Sequence, residues 1–205
     1  MALFKIPEFK KKIYFWHITE GESELIKNLN LPNSFKLKFQ KIKSIQKKKQ
    51  HLAVHKILRS IKIDLNSLYY DENGRPLLKN GDYISISHSY NYCGVITDHK
   101  KVGLDIEKLR PKILDVSSKF LSKSEELLME KNIKNLTKVW TVKESLFKAF
   151  GQSGISFKNN IIINEINNEF TRGKAAIQFE KKIEEYDIEI TNFSQYICSV
   201  VSKIN

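Results

Sequence analysis

Near the middle of the chain, Val102-Gly103-Leu104-Asp105-Ile106-Glu107 alternates apolar and acidic residues, and that alternation restricts the fold more than any other segment. A strand sends successive side chains to opposite faces, so Leu104 and Ile106 point one way while Asp105 and Glu107 point the other. Two carboxylates at i and i+2 are half of a divalent-metal site. A second segment, Trp140-Thr141-Val142-Lys143-Glu144-Ser145-Leu146-Phe147-Lys148-Ala149-Phe150-Gly151, reads as a helix with Glu144 and Lys148 one turn apart on a stripe running from Trp140. Three hard oxygen ligands and an ammonium in a common space suggest magnesium holding a phosphate ester.

At 205 residues the chain has room for one generous domain or two small lobes sharing a core. No stretch approaches the roughly 20 apolar residues of a membrane span, and Lys5, Pro7, Glu8 and Lys10 to Lys12 break up the first sixteen residues, which do not read as a signal peptide. Cys93 and Cys198 sit in apolar strand-like runs without metal-ligand spacing, as packed thiols of a cytoplasmic protein would. The net charge of +12 is concentrated: residues 1–60 hold fourteen Lys or Arg against Glu8, Glu20, Glu22 and Glu24, a balance of +10. That part of the surface faces something anionic, whether nucleic acid, an acidic membrane, an acidic protein or a polyphosphate ligand.

Along the chain, Ile13 to Ile18 reads as a strand, Glu22 to Asn30 as helical, and Phe35 to Ile61 as a longer helical stretch with room for one break. Asp71-Glu72-Asn73-Gly74-Arg75-Pro76 is a turn. Tyr83 to Ser87, Cys93 to Thr97 and Val102 to Glu107 read as strands. Ser122-Lys123-Ser124-Glu125 has capping-box spacing for a helix through Met129, and the Trp140 helix is expected to start near Thr137 and stop at Gly151. Ile84 to Thr97 and Ile188 to Ser202 resemble each other, which predicts a pseudo-twofold α+β protein with a cleft between its lobes.

Each element has an ordinary explanation alone: a solvated strand edge for Asp105 and Glu107, a surface helix pair for Glu144 and Lys148, a turn for Ser87-His88-Ser89. Their order is more specific. Gly74-Arg75-Pro76, Ile84-Ser85-Ile86-Ser87-His88-Ser89, Gly103-Leu104-Asp105-Ile106-Glu107, Lys119-Phe120-Leu121-Ser122-Lys123-Ser124-Glu125 and Trp140 through Lys148 resemble, in sequence order, the motif set of the 4′-phosphopantetheinyl transferases. The resemblance is to the longer, two-lobed class. It is specific over about residues 70–160 and looser elsewhere. Departures are Tyr90, where glycine is frequent, and Lys119 and Leu121, where Arg and Phe are common.

The resemblance implies two lobes, residues 1–101 and 102–205, each with three antiparallel strands and helices packed on one side, the active site lying between them. It implies transfer of 4′-phosphopantetheine from coenzyme A to a serine of an acyl, peptidyl or aryl carrier protein, releasing 3′,5′-bisphosphoadenosine. Asp105, Glu107 and Glu144 match the magnesium ligands, with manganese an alternative, and Lys148 matches the lysine that stabilises the phosphates and the leaving group. Glu125 matches a general base, in competition with its capping-box role, and Glu107 acting through a water is the alternative. His88 with Ser87 matches residues contacting coenzyme A phosphates, and Arg75 a basic residue near the adenine and 3′-phosphate. The family's N-terminal basic residues have no arginine counterpart before Arg59, but Lys36, Lys38, Lys47, Lys48 and Lys49 are available as point charges. The other histidines, at 17, 51, 55 and 99, show no ligand spacing.

An acidic carrier would suit the basic balance. A monomer is the family expectation, with neither a nucleic acid nor a membrane as partner. The remaining alternatives are a basic nucleic-acid-binding module, for which no recognised motif is present, and another magnesium-dependent phosphotransferase or nuclease, which would leave the Gly-Arg-Pro and Ser-His-Ser elements without a use.

Overall fold

The computed structural model describes residues 3–204; Met1, Ala2 and Asn205 lie outside the described residues. The first part of the chain runs β1 (Leu3–Phe4), β2 (Ile13–His17), α1 (Glu22–Ile26), α2 (Asn33–Gln40), α3 (Ile45–Ser60), β3 (Leu68–Tyr70), β4 (Pro76–Leu78), β5 (Tyr83–Ser89) and β6 (Tyr92–Asp98). It continues with β7 (Val102–Lys108), α4 (Ile113–Val116), α5 (Lys123–Leu127), α6 (Ile133–Phe150), β8 (Ile161–Ile166), β9 (Arg172–Phe179), β10 (Lys182–Phe193) and β11 (Tyr196–Lys203). Two antiparallel sheets result, ordered β1-β2-β6-β5 and β7-β11-β10-β9-β8, with β3 and β4 forming a separate hairpin. The fold is α+β, as its sequence pattern predicted.

The two sheets are variations on one unit. In each, an opening strand (β2 or β7) pairs with the last strand of a closing hairpin (β5–β6 or β10–β11), and a long helix (α3 or α6) lies between them in sequence. The hairpins turn alike, Tyr90 at φ 50° and Ser194 at φ 52°. A left-handed backbone at Tyr90 is the physical reason a glycine would be at ease there. The expected three strands per lobe are exceeded in both sheets: β1 adds to the outer edge of the first, β9 and β8 to the second.

Three apolar clusters hold the layers together. One lies under α3 and includes Leu25, Leu52, Ile57, Leu58 and Val95; one lies under α6 and includes Val142, Leu146, Ile161, Ile177 and Ile197. The third joins the sheets: Phe15 and Ile96 of the first meet Leu104, Ile106, Cys198 and Val200 of the second. The alternation in β7 therefore spends its apolar face between the sheets and leaves its acidic face toward α6. Both cysteines are buried and unpaired, and among the described residues no helix is long and apolar enough to cross a membrane.

Several boundaries differ from those the sequence suggested. The stretch from Phe35 to Ile61 is broken at Lys41–Ser44, where the Ser44 hydroxyl accepts from the Lys47 amide and starts α3. The helix predicted over Glu22–Asn30 ends at Ile26, and Asn28 has φ 64°. The Trp140 helix starts at Ile133 rather than near Thr137, because Asn132 caps the Asn135 amide at 2.9 Å. It ends at left-handed Gly151, as the sequence suggested. The Ser122 capping box has both of its bonds, but α5 is a short helix ending at Leu127.

Candidate active site

Gly103 sets how closely α6 approaches β7. A Cβ there would fall 1.9 Å from the Ser145 carbonyl oxygen, so any other residue would push the helix away. One turn further along α6, Lys148 reaches β7 and donates from Nζ to Asp105 Oδ1 at 2.7 Å and to the Leu104 carbonyl at 3.1 Å. Asp105 is 5% exposed and also accepts from the Ser87 hydroxyl at 2.9 Å. Its other oxygen, Oδ2, is buried without a hydrogen-bond partner among the described residues.

Glu107 and Glu144 share the neighbourhood. Burial, then the Asp105 charge, pushes Glu144 up from 4.5 to about 7, against the pull of Lys148. Burial and Asp105 also raise Glu107, opposed by Arg110, the Trp140 indole and Lys148. Three carboxylates thus repel one another around a single lysine, and one oxygen has no donor. The electrostatics and the all-oxygen donor set fit a hard divalent cation, although no three acidic, His or Cys side chains among the described residues converge into a ready-made cage.

A cavity of about 460 Å³ opens beside Lys148. Its walls come from both lobes: His51 on α3, Arg75 in the β3–β4 turn, Ile86 and His88 on β5, and Phe147 and Gly151 at the end of α6. The turn is tied by the Asp71 carboxylate, which accepts from the Asn73 and Arg75 amides at 3.0 and 2.8 Å. The Arg75 guanidinium lies so close to Gly151 that a Cβ there would sit 2.2 Å from Nη1. Left-handed geometry favours glycine there, and a Cβ would displace the guanidinium from its position. Arg75, Lys148, His51 and His88 are basic, and no carboxylate among the described residues lines the cavity. Desolvation, then the charges of Lys148 and His51, hold His88 below its ordinary value.

The structure therefore brings together Asp105, Glu107, Glu144 and Lys148, and sets Arg75 and His88 in the adjoining cavity. It does not bring Glu125 there. Glu125 is 1% exposed; Oε2 accepts from the Ser122 amide and from Lys143 Nζ at 2.8 Å, and Oε1 from the Ile163 amide at 3.0 Å. Lys143 in turn donates to the carbonyls of Phe120, Phe157 and Ile161. With both oxygens engaged in the core, Glu125 is a structural residue, and the base assignment falls away from it. Ser87 is also reassigned: 4% exposed, it accepts from the Ile106 amide at 3.1 Å and donates to Asp105, facing β7 rather than the cavity that His88 lines. Strand alternation separates the two neighbours.

None of Lys36, Lys38 and Lys49 is among the residues lining the cavity, although Lys38 lies 5.7 Å over the ring of Tyr70, which is. Three roles were missed from sequence. His51 reaches the cavity through the tertiary placement of α3. Lys143 is buried against Glu125. Ser85 and Ser87 receive the Leu104 and Ile106 amides, sealing the open edge of β7 with hydroxyls in place of a strand. The only sequence signal for that seal was the serine alternation itself.

Residues 101–201 match the sequence family described as the 4′-phosphopantetheinyl transferase superfamily. The 4′-phosphopantetheinyl transferase gsp of Aneurinibacillus migulanus is 26% identical over 87 residues, 40% of this chain and 37% of that protein. A 4′-phosphopantetheinyl transferase of Bacillus subtilis is 33% identical over 75 residues, 34% of each. The 4′-phosphopantetheinyl transferase Sfp of Bacillus subtilis strain 168 is 30% identical over 105 residues, 47% of each. The matched part of the chain spans between about a third and a half of the length of these relatives. Among solved structures, Helicobacter pylori holo-[acyl-carrier-protein] synthase in complex with coenzyme A matches 50% of this chain and 99% of its own, at 22% identity and a TM-score of 0.39.

Proposed function

We propose that the chain, whose residues 101–201 match the 4′-phosphopantetheinyl transferase superfamily, transfers 4′-phosphopantetheine from coenzyme A to a serine of an apo acyl, peptidyl or aryl carrier protein in a magnesium-dependent reaction that releases 3′,5′-bisphosphoadenosine. The observation that carries this reading is the junction of two unlike environments: the acidic cluster of Asp105, Glu107 and Glu144 adjoins a basic cavity large enough for a nucleotide, and Lys148 belongs to both.

Attack of a serine hydroxyl on a pyrophosphate needs charge neutralised on the phosphate oxygens and a proton removed from the nucleophile. Magnesium held by Asp105, Glu107 and Glu144 would supply charge neutralisation at the pyrophosphate. Lys148, kept at the rim by Asp105 and the Leu104 carbonyl, provides a fixed ammonium for phosphate oxygens and for the departing bisphosphate. Arg75 and His88 bind and orient the nucleotide end, Arg75 with the fork geometry that suits a phosphate monoester. With Glu125 committed to the core, Glu107 is the carboxylate available to accept the serine proton, directly or through a water; its side chain is 24% exposed and has Arg110 at 3.5 Å. The chain's positive charge would assist encounter with an acidic carrier, an effect that weakens with salt.

The test is the intact mass of apo carrier proteins after incubation with this protein, coenzyme A and magnesium. A gain of one phosphopantetheine, lost on chelation and in Glu144→Gln and Asp105→Asn, supports the reading. A chain that modifies neither acyl nor peptidyl carriers and does not bind coenzyme A refutes it.

A further inference from the structure

Four basic groups line the cavity, and one of them, His51, was singled out by neither the motifs nor the sequence spacing. It stands on α3, in the N-terminal lobe, with its ring centroid 6.4 Å from that of His88 on β5. From α2, Phe35 presents its ring to it at 6.3 Å. On its own helix Lys47 adds a like charge, and His55 is bonded through Nδ1 to the His51 carbonyl oxygen at 2.8 Å rather than to its ring. No carboxylate faces the His51 ring from α2, α3 or β5. Burial and Lys47 accordingly favour its neutral form.

Resting on the transferase reading, we propose that His51 is a further phosphate-binding residue of the cavity, paired with His88, and that it takes up a proton when a phosphate group binds, so that coenzyme A affinity depends on pH through this residue. Beside the standing charges of Arg75 and Lys148, two imidazoles held toward their neutral form by burial add little charge to the empty cavity and more when an anion is present. A phosphate oxygen supplies the opposite charge that the surroundings of His51 lack, and the proton comes from solvent. The N-terminal lobe has no arginine before Arg59, and His51 gives that wall of the cavity a charge that forms with the ligand.

The decisive experiment follows the imidazole resonances of the full chain by NMR across pH, without ligand, with inorganic pyrophosphate, and with coenzyme A. Coenzyme A affinity is measured by calorimetry for the wild type, His51→Gln and His51→Lys. Either ligand is expected to move the His51 titration midpoint up by about one pH unit, a tenfold linkage. Wild-type affinity should weaken as pH rises from about 6 to 8. His51→Gln should bind weakly at both ends, and His51→Lys tightly at both, each losing that part of the slope. If coenzyme A binds but the His51 midpoint stays in place, or His51→Gln keeps the wild-type slope, this inference is overturned and the transferase reading stands. If pyrophosphate moves His51 while coenzyme A does not bind, the anion site stands and the transferase reading fails. If neither ligand binds, both fail.

Discussion

Helix α6 carries two lysines five residues apart, each paired with a carboxylate, and the pairs have opposite fates. Lys143 and Glu125 are 0% and 1% exposed, and every group between them is used: the ammonium meets three carbonyls and a carboxylate oxygen, the carboxylate two amides and the ammonium. Two of these bonds, to the Ile161 carbonyl and the Ile163 amide, serve the edge strand β8 as a neighbouring strand would. The side chains of Lys148 and Asp105 are 29% and 8% exposed, Lys148 lines a cavity, and Asp105 behind it keeps an oxygen without a donor among the described residues. A saturated pair locks structure, while an unsaturated pair at a cavity keeps binding capacity for something else.

The largest test of that contrast is Lys143→Met. It leaves Glu125 buried without its cation, which should cost about 3–5 kcal/mol in chemical denaturation. Whatever fraction remains folded should keep its activity per molecule, and a selective loss of activity would return Glu125 and Lys143 to the catalytic machinery. Lys148→Met should behave in reverse. Its stability cost should be smaller than that of Lys143→Met, because Lys148 is partly exposed and Asp105 keeps the Ser87 hydroxyl as a donor, but carrier modification should slow about a hundred- to a thousandfold, roughly 2.7–4 kcal/mol in the barrier.

A third expectation sharpens the unsaturated side. Magnesium at a hundredfold excess over its dissociation constant should stabilise the wild type by about 2.7 kcal/mol in thermal unfolding, and Glu144→Gln should remove most of that gain. An equal gain in the variant would detach the cation from this cluster. Next in size is Gly151→Ala, where a Cβ must take a left-handed backbone and displace Arg75. It should cost about 1–2 kcal/mol in stability and weaken coenzyme A binding, with Lys148 unaffected.

The smallest effect concerns another well-satisfied carboxylate, Glu184. Burial opposes its charge, but hydrogen bonds from Lys101, Tyr186 and Lys203 outweigh burial and bring it from 4.5 down to about 2. Because the folded chain releases this proton more readily than the unfolded one, the stabilisation is complete above about pH 4.5 and disappears as pH falls through about 2. Glu184→Gln should therefore lower stability at neutral pH and flatten acid unfolding in that window, with the melting temperatures of variant and wild type converging toward pH 2, which a pH series would reveal.

Much of the fold was legible because it rests on local pattern. The alternation in β7, the hairpin around Asn91, the turn at Gly74 and the stop at Gly151 follow from strand periodicity and from where a left-handed backbone is tolerated. The repeat was also visible, since two similar hairpins demand two similar sheets. Asp105, Glu107, Glu144 and Lys148 could be grouped because two periodicities, two for the strand and 3.6 for the helix, aim them from neighbouring elements. Strands β1, β8 and β9 were not anticipated, because strand recruitment depends on which edges remain open once the sheets have formed.

What sequence by itself determined is therefore the set of faces: which side of β7 is acidic, which stripe of α6 carries Glu144 and Lys148, and that the N-terminal part is basic. Tertiary structure decided which faces meet. It withdrew Glu125 into the core by supplying Lys143 and the β8 edge, turned Ser87 toward β7, and carried His51 into the cavity alongside His88. Each of these outcomes depends on desolvation and on partners distant along the chain. A residue's own spacing fixes where its side chain points, and only packing fixes what is there to receive it.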